Sequence, residues 1–67
     1  MELNKSMLEL NLTDFNKSII KNLGKEVWRK INNDLDTSCV LLAGGSDKYK
    51  NLVYNYLVEN NYLGNIV

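Results

Sequence analysis

The stretch Cys39-Val40-Leu41-Leu42-Ala43-Gly44-Gly45-Ser46-Asp47 decides how this chain is read. An apolar run ends in two glycines, followed by a Ser-Asp pair suited to capping a helix. Short apolar runs bounded by turn residues are the pattern of a strand buried on both faces. Residues 38–43 are therefore expected to form a central strand, Gly44-Gly45 a tight turn, and Ser46 or Asp47 the cap of a helix over about 47–60. That helix has an inner face of Tyr49, Leu52, Val53, Tyr56 and Leu57, and Asn60, Asn61 and Gly64 close it.

Working outward, an earlier helix is expected to start at Asp14, capped by Thr13. Phe15, Ile19, Ile20, Leu23, Val27 and Ile31 recur at three- and four-residue steps and make one apolar stripe. Lys17, Lys21, Lys25 and Arg29 fall off that stripe, so they are expected in solvent. Gly24 sits inside the pattern, where it costs up to about 1 kcal/mol relative to alanine. The Asn32-Asn33-Asp34 cluster ends the helix.

Leu8, Leu10 and Leu12 alternate with Glu9 and Asn11, the period of a half-buried strand over 7–12. A helical spacing of Leu3, Met7 and Leu10 competes with it, and the strand is preferred. Asn65-Ile66-Val67 reads as a last short strand. The expected fold is thus α/β, a single domain over 1–67 of (β)αβαβ order. Two helices lie on a two- or three-stranded, mainly parallel sheet. Ile19, Leu23, Val27, Leu41, Leu52 and Leu57 are expected to be buried together.

Composition bounds the chemistry. The chain has 67 residues, one cysteine and no histidine, so neither an intramolecular disulfide nor the usual zinc spacings are available. A chain this short buries only about 60% of its unfolded surface. Oligomerisation or a partner is the remaining route to further burial. Eight basic and eight acidic residues cancel, giving no general electrostatic reason to bind nucleic acid. No apolar run approaches the roughly 20 residues of a membrane span. The chain reads without a signal peptide and with reduced cysteine usage, as a cytoplasmic protein. Asparagine is abundant, while glutamine and proline are absent; an AT-rich coding sequence accounts for this.

The pattern "helix, short polar link, Val-Leu-Leu-Ala-Gly-Gly-Ser, helix, short strand" over about 15–67 resembles the late part of an actin-like ATPase of the plasmid-segregation type. The resemblance implies that Gly44, Gly45 and Ser46 let the backbone approach a nucleotide. It departs from that family in lacking the second domain, the phosphate loops and the catalytic acidic residues. Hydrolysis by the family mechanism is therefore not expected. Asp47 beside the turn also competes with phosphate for the amide donors.

Other candidates are weaker. Cys39 has no histidine to activate it and reads as a buried strand cysteine. Asp34, Asp36 and Asp47 could suggest a magnesium site, but Asp34 and Asp36 read rather as ending the helix and solvating the loop. Trp28 and Tyr54, the latter off the inner face of its helix, are the candidate partner contacts. No catalytic residues, metal or cofactor are expected. The expectation is a non-enzymatic binding protein that contacts another protein, of the kind a phage or mobile element uses to inhibit a host protein. It is expected to self-associate through exposed sheet edges. The alternative is a fragment of an actin-like ATPase whose Gly-Gly turn serves a larger parent.

Overall fold

The computed structural model describes residues 3–63. Among them every regular element is helical: a 3-10 helix η1 (Lys5–Glu9), then α1 (Leu12–Leu23), α2 (Lys25–Asp34) and α3 (Thr37–Glu59). The expected α/β fold is therefore replaced by a small helical bundle, and no described residue lies in a strand. The expected strand at 65–67 lies outside the described residues. The Cα radius of gyration is 11.0 Å, matching the roughly 11 Å that chain-length scaling gives a compact domain of this size.

Local chemistry explains each departure. At 7–12 the alternating leucines are split between two helices. Asn4 caps η1 by accepting from the Ser6 N–H at 2.9 Å, and Met7 turns fully into the core. Asn11, not Thr13, caps α1, its Oδ1 accepting from the Asp14 N–H at 2.9 Å. The two caps interrupt what a strand would need as continuous extended backbone.

The single long helix expected from Asp14 onward is two helices hinged at Gly24. Gly24 has φ 95° and ψ 156°, a region that only glycine occupies at low cost. Its N–H closes α1 on the Ile20 carbonyl at 2.9 Å, and its carbonyl accepts the Trp28 N–H of α2 at 3.1 Å. The apolar stripe survives the hinge. Phe15, Ile19 and Ile31 are buried, while Leu23 and Val27 are partly buried against them.

The 38–43 run is the largest correction. It is helical and belongs to the first part of α3. Leucine and alanine favour helix, and five apolar residues carry no period that excludes it. Helix α3 is itself two helices meeting at Gly45, with φ 76° and ψ −175°. The second part, 46–59, coincides with the helix expected after the glycines.

The core gathers Met7, Phe15, Ile19, Ile31, Tyr49, Val53 and Leu57. Phe15 and Tyr49 meet edge to face, with ring centroids 6.0 Å apart. Of the residues expected to be buried together, Ile19 and Leu57 are, Leu23, Val27 and Leu52 are half-buried, and Leu41 is exposed.

A part-buried polar knot flanks this core. The Tyr49 hydroxyl lies 2.8 Å from Asn16 Oδ1 and 2.9 Å from Asn32 Oδ1. Trp28 Nε1 donates to the same Asn16 oxygen at 3.2 Å. Thr37 Oγ1 donates to the Asn32 oxygen at 2.8 Å. The knot joins α1, α2 and both parts of α3. Lys50 makes a second tie. Its buried ammonium donates to the Leu8 and Leu10 carbonyls at 3.1 and 2.9 Å, fastening η1 and its C-cap to α3.

Candidate interaction surface on the first part of α3

Between Thr37 and Tyr49 no residue of α3 is buried. Thr37 anchors the segment through Asn32, and Val40 packs partly against the core. The side chains that point away are Ser38, Cys39, Leu41, Leu42 and Ala43, all exposed. Leu42 is 90% exposed and Leu41 37%. From Thr37 through Ser46 the chain carries no charge, and Asp36 and Asp47 bound it. The usual polarity of a surface helix is thus inverted here: the core side is held by threonine and valine, and the water side by leucine. At Gly45 the backbone redirects the chain, and the second part of α3 lays Tyr49, Val53 and Leu57 into the core.

The expected nucleotide contacts Gly44, Gly45 and Ser46 do lie together, at this kink, but they follow a helix instead of a strand. All three are exposed, and Ser46 opens the second part of α3. The methylenes of Lys48 cover Gly44: a Cβ built there would meet Lys48 Cδ at 2.2 Å. The Asp47 carboxylate stands 3.5 Å from Lys50 Nζ. No group of histidine, cysteine, aspartate or glutamate able to hold a metal ion occurs among the described residues.

Cys39 is exposed on the helix rather than buried in a strand. The Asp36 carboxylate accepts the thiol's hydrogen bond and opposes a thiolate by its charge, so the pKa rises above the usual thiol value. An activated nucleophile requires the reverse.

The two expected partner contacts are placed elsewhere. Trp28 is half-buried, packed against the core and bonded to Asn16. Tyr54 is half-buried and also packs on the core. Neither belongs to the exposed leucine face. Sequence reasoning missed Leu41 and Leu42 as surface residues because it had assigned them to a buried strand. The available signal was the uncharged ten-residue run 37–46 with two glycines near its end, which fits an exposed two-turn helix as well as a strand.

A shallow depression on α1 is lined by Asp14, Lys17, Ser18 and Lys21. The Ser18 hydroxyl is buried beside it without a hydrogen-bond partner. The rim mixes one carboxylate with two ammonium groups, a poor cradle for either sign of ligand. No helix among the described residues is long and apolar enough to cross a membrane.

No family model, curated protein or solved structure matches the chain.

Proposed function

We propose that this chain is a non-enzymatic binding protein that works through contact with protein, using the exposed side of α3 around Leu42. The observation that carries this reading is Leu42, 90% exposed on an uncharged helical face with Leu41, Cys39 and Ala43. Fully burying a leucine is worth about 1.5–3 kcal/mol. In a domain with so small a core, leaving it in water makes sense where another surface covers it. The first part of α3 contributes one buried residue, Thr37, to the fold, so the segment is free of heavy structural duty. Helix-in-groove and helix-on-helix docking both use such a face.

A photo-crosslinking aromatic ketone placed at position 42, in cells that make the protein, tests this reading. Covalent protein adducts are expected at 42 and not at Glu26, an exposed position on α2. Adding Leu41→Lys should abolish them. Absence of adducts at 42, or equal yields at both positions, would sink the proposal.

A further inference from the structure

We infer that the outer side of the angle between α1 and α2, around Trp28, docks an acidic face of another protein. This contact is independent of the Leu42 face and uses none of its residues.

Helix geometry places the cations. The bond from Trp28 Nε1 to Asn16 at 3.2 Å fixes which edges of α1 and α2 meet. Lys17 follows Asn16 and Arg29 follows Trp28, each about 100° further round its helix. Both steps lead away from the buried sides, marked by Phe15 and Ile19 on α1 and Ile31 on α2. Lys21 stands one turn beyond Lys17, where α1 reaches the Gly24 hinge, and Lys25 one turn before Arg29, where α2 leaves it. All four are exposed, and each pair spans about 6 Å along its helix. Ile20 and Trp28, both half-buried, lie on the facing edges between the two rows.

Acids are kept from these cations. Glu26 and Lys30, each two residues from Trp28, fall about 200° round α2 on its opposite side, so a crosslinker at position 26 does not report on this face. Asp14 lies a turn farther from the hinge than Lys17 and is tied back to the Asn11 cap at 3.3 Å. None of the four cations has an ion-pair partner among the described residues, where the pair present is Lys50 with Asp47.

The arrangement has a cost. Lys17 with Lys21, and Lys25 with Arg29, are like charges four residues apart, which weakens a helix. The chain has as many acids as bases, so alternating signs along both helices was open to it. Instead, five bases and one acid fall in 17–30, while the other described residues hold three bases and six acids. A partner that supplies carboxylates turns the repulsion into attraction.

Size and surroundings choose the anion. Cations around a tryptophan and an isoleucine have the composition of a protein interface, an aromatic centre with a polar rim. Four charges meet only a few phosphates, and the acidic remainder of the chain repels a nucleic acid that extends past them. A compact acidic patch on a protein ends where the cations end.

The full chain titrated with a helical peptide carrying glutamates at four-residue spacing tests this, read by amide shifts and by emission of the single tryptophan. Saturable shifts centred on 16–29 are expected below about 1 mM peptide. The dissociation constant should rise about tenfold between about 20 and 200 mM salt, and the matching glutamine peptide should give no shifts. Lys17→Glu with Arg29→Glu should abolish binding while keeping the helical circular dichroism, since both side chains are exposed. Lys5→Glu with Lys48→Glu makes the same change of net charge on η1 and α3 and should leave most of the binding. Absence of saturable shifts, or equal losses in the two double variants, overturns the acidic-face contact. Shifts confined to 38–43 belong to the Leu42 contact and overturn it too. Tighter binding of a single strand of about 12 nucleotides, or of its duplex, overturns the choice of protein as the partner.

Discussion

Tyr49 concentrates the residue-scale physics. Its hydroxyl carries one proton and faces two amide oxygens, of Asn16 and Asn32. Both oxygens have another donor, Trp28 Nε1 for one and Thr37 Oγ1 for the other. Tyr49→Phe therefore removes a hydrogen bond without orphaning either acceptor, and should cost about 1 kcal/mol in a urea titration. Burial pushes the Tyr49 pKa above its ordinary value, offset in part by the bond to Asn32. A raised folded-state pKa means that the contribution to stability is complete below the unfolded value, about 10, and is lost as pH rises past it. The Tyr49 contribution should therefore be constant up to about pH 10 and fall only above it, and Tyr49→Phe should lose less stability over that strongly alkaline interval. Tyr56, also raised because it donates to Asp34, titrates in both proteins and does not disturb the comparison. A variant with the same alkaline slope as wild type would show that Tyr49 is not the responsible group.

Elements here are defined by where the chain turns. Gly24 and Gly45 adopt positive φ with extended ψ, where a side chain costs about 1–3 kcal/mol. Neither would clash, since nothing lies within 4 Å of a Cβ at either position; the cost is purely of backbone conformation. Gly24 joins two helices that both supply core residues, so Gly24→Ala should lower global stability by about that full amount. Gly45 joins the core to a segment that buries only Thr37. There the strain can be relieved by moving the first part of α3. Gly45→Ala should thus cost less in denaturant and show instead as faster amide exchange over 37–48. Equal losses for the two variants would mean that the first part of α3 is as firmly held as α2. Lys50 ties a third junction. Lys50→Met keeps the stem but leaves the Leu8 and Leu10 carbonyls without their donor, at a cost of about 1–3 kcal/mol. The loss should appear as early exchange of η1 amides. Protected η1 amides in that variant would show that Met7 alone holds the element.

At the scale of the whole molecule, the core is formed by α1, α2, η1 and the second part of α3, and the first part of α3 stands outside it. Leu57→Ala, at a fully buried position, should cost about 2–5 kcal/mol and come close to unfolding a domain with so little reserve. Leu41→Ala should change the melting temperature by no more than a few degrees. It removes an exposed side chain and adds a better helix former. A severe loss at Leu41 would restore that run to the core and remove the basis for a contact surface.

Much of the helical pattern could be read from the chain. The stripe from Phe15 to Ile31, the solvated Lys17, Lys21, Lys25 and Arg29, and the inner face of Tyr49, Val53 and Leu57 all follow from spacing of 3.6 residues, a local property. The helix beyond the glycines was equally local, whereas the expected strand-to-helix turn is a kink at Gly45 between two helices. Three things were not local. The run 39–43 has no period, so strand or helix depended on whether a sheet existed to receive it, and none does among the described residues. Gly24 became a hinge because α1 and α2 both had to reach the same core from different directions. Leu42 faces water because the first part of α3 turns Thr37 and Val40 toward the core and Leu42 to the opposite side. Sequence determined which segments are amphipathic and where the backbone may bend. Tertiary packing decided which apolar side chains found the core, since burial depends on what else arrives at the same place.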